Sequence, residues 1–385
     1  MIVLKIFVIG PIYPFRGGIA HSNLRLCTNL AKNHEVIAIS FKRMFPLLLY
    51  PGKDQYEPIV EDKNFPFERI FLIDTLNPIS WLSAVSLIGK KKPNILIFQW
   101  WHTFFVPAYW VIAFLAKLFL LKNNFKIGII CQNVLPHEGN KIHNFLSKLF
   151  FKQANYFITL SSSDKKLLQG ILPNSRVDFI IEPLYDLNLK NKNINKNEAK
   201  IKLCLDKKDK ILLFFGFVRP YKGLIYLIRA MPSIIKKMPE IKLLVIGEWW
   251  ENKQEYAEEI QRLGIEKSVF ILDKYAPNED LPLYFRASDA VVLPYLSSTE
   301  SGIIQLAFEF NTPIITTNVG GNVDLVEDKK TGLLVEPKDS MSLSGAILDY
   351  YEKNMEEKLK KEMMKRSELF KLTKKKEDII LNTKS

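Results

Sequence analysis

Short runs of Val, Ile, Leu and Phe alternate with longer segments of helical spacing along nearly the whole chain. IVLKIFVIG, VIAISF, ILIFQW, KIGIICQ and YFITLS lie in the first half; KILLFFG, IKLLVIGE, SVFILD, AVVLPY, PIITT and GLLVE lie in the second. Runs this apolar keep no polar face for water, so each strand must be covered on both sides. Strands of that kind separated by helices call for a parallel, doubly wound α/β sheet. The alternation stops once, at Leu184 to Lys200 (LYDLNLKNKNINKNEAK), a polar Asn/Lys-rich stretch with no periodicity, as an exposed connection between domains would be. The expected organisation is a first α/β domain over 1–183, a linker over 184–200, a second α/β domain over 201–345, and a charged helical segment over 346–385 free to pack back on the first domain. No repeat at solenoid periods is visible.

At 385 residues and 48% hydrophobic content, the chain has enough apolar mass for two cores. Cys27, Cys131 and Cys204 lack the paired spacings of a zinc site or disulfide framework, which points to a reducing cytoplasm. The opening MIVLKIFVIG reads as a strand rather than a leader. Phe104 to Leu121 is the most membrane-like run, but Pro107 and Lys117 make it a poor span and a better buried or interfacial helix. The formal charge is +13, and it is uneven: residues 1–189 hold 21 Lys+Arg against 12 Asp+Glu, or +9, which leaves +4 for the rest. Such an excess attracts anions. Nucleic acid is not among those expected, because Lys374 to Lys376 is too short a run and has no aromatics beside it.

In open parallel sheets ligands collect at the carboxyl ends of strands. Two such sheets facing one another would enclose a cleft between the domains. Three strand-to-helix loops carry glycines there: Gly17-Gly18, Gly216 followed by Arg219, Lys222 and Gly223, and Gly320-Gly321. Glycine lets backbone approach a ligand closely and adopt positive φ. Arg219 and Lys222, beside a helix start, form a site for phosphate, the guanidinium chelating two oxygens and the ammonium acting as a point charge. Ser297 to Glu309 (SSTESGIIQLAFE) is a fourth such loop, whose free N–H groups can meet an anion.

This order of loops, with VGGNVDLVEDKKTGLLVEPKD and RASDAVVLPY, resembles the retaining glycosyltransferases of family 4, which have the GT-B fold: two Rossmann-like domains facing across a cleft. The resemblance implies a nucleotide-sugar donor held mainly by the second domain. It also implies a glycan or lipid-linked glycan acceptor on the first, no metal, and a role in cell-surface polysaccharide synthesis. By position it makes Arg219, Lys222 and Glu300 the catalytic groups. Gly17, Gly18, Gly216, Glu248, Ser298, Ser301, Gly302, Ile303 and Gln305 would bind the donor; His21, Gln132, His137 and Trp101 would meet the sugar or acceptor.

The chain departs from the family pattern in two places. The family's two glutamates, separated by seven residues, fall on Ser298 and Leu306; Glu300 and Glu309 are separated by eight, which shifts their relative direction on a helix by about 100° from the family's arrangement. Glu300, Ser301 and Gly302 are then expected to serve the donor, Gln305 the ribose, and Glu309 the surface. Gln132 stands where the family often has His, and it can hydrogen-bond but not carry a proton. Trp249 or Trp250 in GEWWEN either stacks on a base or packs at a seam; Trp100, Trp101 and His102 either meet an acceptor or fill core. Lys141, Lys148 and Lys152 share a narrow helical arc, with Ile142, Leu146, Leu149 and Phe150 on the opposite side. That lysine stripe either lies in water or rests weakly on acidic lipid at the inner face of the membrane. Two functions follow: a glycosyltransferase, or a GT-B protein that binds nucleotide sugar or glycan without turnover.

Overall fold

Among the described residues, thirteen strands form two sheets, and every pairing in them is parallel. The computed structural model describes all residues except 1, 47–49, 51, 53, 58–63, 121–124, 136–140, 183–192, 300, 373–375 and 382–385, and the side chains at 371–372. The chain divides into two units, Met1–Glu182 with Lys374–Ser385, and Pro183–Thr373.

In the first unit the order is β1 (Lys5–Ile9), α1 (Gly18–Leu30), β2 (Glu35–Arg43), β3 (Glu68–Asp74), α2 (Pro78–Lys91), β4 (Ile95–Trp100), α3 (Val106–Leu120), β5 (Lys126–Cys131), α4 (Lys141–Phe151), β6 (Tyr156–Thr159), α5 (Ser162–Ile171) and β7 (Arg176–Phe179). The sheet runs β3-β2-β1-β4-β5-β6-β7. Its centre is apolar on both faces, Val8 lying between Ala38 and Ile97, as the sequence requires. The edges β3 (ERIFLID) and β7 (RVDF) are absent from the sequence expectation because they are partly exposed and charged. One core fills the side covered by α2 to α5, another the side covered by α1.

The second unit has α6 (Lys196–Lys202), β8 (Lys210–Phe215), α7 (Leu224–Lys237), β9 (Ile241–Ile246), α8 (Lys253–Arg262), β10 (Val269–Leu272), α9 (Leu281–Ala287), β11 (Ala290–Leu293), α10 (Gly302–Glu309), β12 (Ile314–Thr317), α11 (Asn322–Leu325), β13 (Leu333–Val335), α12 (Ser340–Glu352) and α13 (Glu356–Leu372). Its sheet order is β10-β9-β8-β11-β12-β13. The polar stretch expected as linker is partly structured, since Asn195 closes a capping box with Glu198 at the start of α6.

The last helix, α14 (Lys376–Leu381), belongs to the first unit and packs on α1. A buried ion pair fixes it: Lys376 Nζ contacts Glu182 Oε1 and donates to Ser22 Oγ at 2.8 Å. Ser22 Oγ in turn donates to Glu182 Oε1 at 2.6 Å, and Arg25 meets Glu182 Oε2 at 2.9 Å. A buried carboxylate with three donors has its desolvation offset by geometry.

Candidate functional site

In the second unit three loops at the carboxyl ends of strands lock together around Lys222. After β8 the chain enters Gly216 with φ +100°, a value that favours glycine. Loop 216–218 is zipped to loop 247–250: Val218 N donates to Glu248 O at 2.9 Å and Trp250 N to Val218 O at 3.0 Å. A single turn, Pro220–Lys222, leads to Gly223 at φ +66°, where a Cβ would lie 2.0 Å from Pro294 O. No other residue fits there, which explains the glycine before α7.

This backbone folds the Lys222 side chain back over the end of β8. Its Nζ lies 2.9 Å from where a Cβ on Gly216 would stand, and Ile303 Cδ1 lies 3.5 Å from the same point. Lys222 is buried, and among the described residues no carboxylate or carbonyl is within bonding distance of its ammonium. Burial, with the Arg219 guanidinium as a second cause, pulls its pKa down to about 8. The nearest aromatic is Tyr295, whose ring centroid is 5.4 Å from Nζ. Arg219 itself sits between the rings of Tyr221 at 5.1 Å and Trp250 at 5.4 Å. Glu251 lies within electrostatic reach of Arg219, but among the described residues no carboxylate pairs with Lys222, so two neighbouring cations repel one another there and the buried ammonium favours an anion.

Helix α10 brings its start to the same place. Ser301, buried, caps it by accepting from Ile304 N at 3.4 Å. That leaves the N–H groups of Gly302 and Ile303 without intrahelical acceptors. Ser298 O accepts from Gly321 N at 3.1 Å, and a Cβ on Gly320 would collide with that oxygen. The Gly-Gly loop and the Ser298 loop are thus joined through backbone, while Leu296 N donates to Tyr221 O at 2.7 Å and ties in the Arg-Lys turn.

Of the residues expected here, Gly216, Lys222, Ser301, Gly302 and Ile303 come together, with Arg219 at their edge. Glu248 is buried and accepts from Trp250 Nε1 at 3.1 Å, which holds the ring beside Arg219 and 4.5 Å from Phe217. Trp249 turns the other way, onto Tyr256. Gln305 is buried in α10, as is Leu306. Glu300 lies outside the described residues. Glu309 sits at the far end of α10, about 10 Å along the axis from Gly302, in a surface cavity with Met364 and Glu368 of α13.

Gly17 and Gly18 lie in the first unit, where Gly17, at φ +99°, starts α1. Gln132, at the end of β5, belongs to a relay of amides. Its Nε2 donates to Gln99 Oε1 at 3.2 Å, Gln99 Nε2 to Asn23 Oδ1 at 3.2 Å, and Asn23 Nδ2 to Pro11 O at 2.9 Å. His21 pairs with Glu57 at 3.2 Å. Trp101 packs 4.3 Å from Phe105 within an aromatic cluster, and Trp100 is fully buried; both fill core, though Trp101 keeps a partly exposed edge. His137 lies outside the described residues. Asp164, buried on α5, is pushed up to about 7 by desolvation, against a bond from the Val134 backbone. Sequence reasoning passed over Gln99 and Asn23, although Gln99 interrupts an otherwise apolar strand, ILIFQW; Asp164 gave no signal.

Residues 195–369 match the family model for glycosyl transferases group 1. The matched segment, residues 195–369, is a group 1 glycosyltransferase domain. Over most of the chain, an uncharacterized glycosyltransferase of Methanocaldococcus jannaschii is 24% identical over 368 residues, 89% of this chain and 88% of its own. The group 1 domain and the first unit together have the GT-B fold. Sucrose-phosphate synthase from Thermosynechococcus elongatus has a similar structure, with TM-score 0.74 at 17% identity over 98% of this chain and 96% of that one. So does HepE of Anabaena, solved with UDP and glucose, with TM-score 0.74 at 18% identity over 95% of each chain. The group 1 domain contains the whole Lys222 site.

Proposed function

We propose that the chain is a retaining, family 4 glycosyltransferase. It moves a sugar from a nucleotide-sugar donor, whose diphosphate lies against Lys222, Arg219 and the start of α10, to a hydroxyl of a glycan or lipid-linked glycan. The observation that carries this is the buried ammonium of Lys222, which has a guanidinium for a neighbour and no carboxylate among the described residues. A diphosphate supplies the missing charge. As the glycosidic bond breaks, negative charge grows on the leaving phosphate. Cations already in place lower that barrier, each such contact being worth about 3 kcal/mol. The same two cations make a metal ion unnecessary. Retention follows when the acceptor hydroxyl enters on the face the phosphate leaves, a departing phosphate oxygen taking its proton. Glu300 is assigned to the sugar and Gln132, oriented by its amide relay, to the sugar hydroxyls. The setting is the cytoplasm and the product a cell-surface polysaccharide. HepE, solved with UDP and glucose, supports a nucleotide-sugar donor.

A second reading has its own observation. Leu306, buried and apolar, stands where the family has its second glutamate, so a protein that binds the nucleotide sugar without turnover also fits. Incubation with UDP-, GDP- and ADP-sugars and a glycan acceptor separates the two. Transfer with retained anomeric configuration by NMR, unchanged by chelators and reduced ~100-fold in Arg219→Ala, is the expected result. Thermal stabilisation by a nucleotide sugar without hydrolysis or transfer selects the second reading; no stabilisation by any donor removes both.

A further inference from the structure

Helices α2, α3 and α4 form one layer of the first unit, with α3 packed against both neighbours. Together they carry five lysines, Lys90, Lys91, Lys117, Lys141 and Lys148, and no Asp or Glu. Their outer surface is apolar. On α3, Phe114, Leu118 and Phe119 are 44, 57 and 66% exposed; on α4, Ile142, Phe145 and Leu149 are 66, 67 and 37% exposed. The α4 residues recur at helical spacing as one stripe, turned away from the buried Ser147, Phe150 and Phe151 that anchor the helix. Lys141, Lys148 and Lys152, all exposed, fall within about 40° of each other along one edge of that stripe. This corrects the sequence expectation, which set Ile142 and Leu149 on the side opposite the lysines with Phe150; they adjoin the lysines on the exposed surface while Phe150 is buried. A groove of about 490 Å³ between α2 and α3, with Lys90 and Lys92 in its wall, adds to the same layer.

A water-facing helix layer of this kind normally mixes charges, as the second unit does. There Glu259 bridges Arg229 and Arg262, and Lys253 meets Asp273. A contiguous apolar surface edged by one sign of charge marks a docking face. Its chemistry, bulky apolar side chains beside lysines with no acid among them, complements an anionic bilayer: the rings and leucines enter the acyl boundary and the ammonium groups meet phosphates. Thr103–Leu120 is long and apolar enough by composition to cross a membrane, yet half of it is buried in the protein. That side is committed to the core, so only the outer face is open to lipid.

We propose that the α2–α3–α4 layer seats the protein on an anionic lipid surface. This stands independently of the donor site. The test is co-sedimentation of the full chain with vesicles of phosphatidylglycerol and phosphatidylcholine, against vesicles of phosphatidylcholine alone. Binding to the anionic vesicles is expected to be at least ~10-fold tighter and to weaken with salt. Leu118→Ser with Phe145→Ser should lower it ~10-fold or more. Lys141→Ala with Lys148→Ala and Lys152→Ala should lower it comparably and remove most of the salt dependence. Both variants should keep the parent's thermal response to nucleotide. Absent binding to anionic vesicles overturns the proposal, as does binding unmoved by both variants. A serine variant that converts a dimer to a monomer, with no vesicle binding by the parent, overturns it too and assigns the face to self-association.

Discussion

Lys376 in the first unit and Lys222 in the second are buried to nearly the same degree, 5% and 8% exposed, in opposite company. Around Lys376 stand Glu182, Ser22 and, through the carboxylate, Arg25. Around Lys222 stand a second cation and aromatic rings, with no carboxylate among the described residues. A third buried lysine, Lys200, donates to the main-chain oxygens of Lys207 and Asp209. A charge supplied with its partner holds structure together. A charge denied one weakens the fold and awaits a ligand, which is how binding sites carry a stability cost.

Removing the acid at the first site and the lysine at the second should therefore change stability in opposite directions. Glu182→Ala strands the buried Lys376 and removes a partner of the half-buried Arg25, and it is expected to destabilise the first unit by about 3–5 kcal/mol in denaturant titration. Lys222→Met removes a charge that the fold resists. The shift from 10.5 to about 8 corresponds to as much as ~3 kcal/mol at pH 7, so the ligand-free variant should melt higher than the parent while losing its thermal response to nucleotide. In linkage terms the parent's Lys222 contribution is unfavourable below pH 8 and fades as pH rises from 8 towards 10.5, where the unfolded lysine still holds its proton and the folded one has lost it. A Lys222→Met protein less stable than its parent at pH 7 would mean that Lys222 is structural after all.

The same contrast separates what sequence could reveal. Gly216, Arg219, Lys222 and Gly223 are contiguous, and their chemistry is local: a strand end, a turn and a helix start. The Lys376 site is not local, since Ser22 and Lys376 are 354 positions apart and no spacing rule connects them. The central strands were legible because they are buried on both faces, and β3 and β7 were not because edges need fewer apolar residues. The α4 face misled for another reason. Its outward residues are as apolar as its inward ones, and only the docking of Phe150 and Phe151 decides which stripe is core. Glu182 was legible as an acid and nothing more.

The smallest of these effects is also the one most specific to a ligand. With its pKa near 8, Lys222 is charged in most free molecules at pH 7 and in few at pH 9. A bound diphosphate returns the ammonium to its ordinary range by supplying the opposite charge. Above pH 8 binding must then take up a proton, and affinity should fall by up to tenfold per pH unit, about 1.4 kcal/mol each. Calorimetric titration with UDP, GDP and ADP at pH 7, 8 and 9, in buffers of different ionisation heat, measures both the fall and the proton. Guanidinium groups do not titrate in this range, so the loss reports on the lysine. An affinity flat to pH 9 with no proton uptake would place the diphosphate away from Lys222; a fall accompanied by uptake of about one proton per nucleotide would place it there.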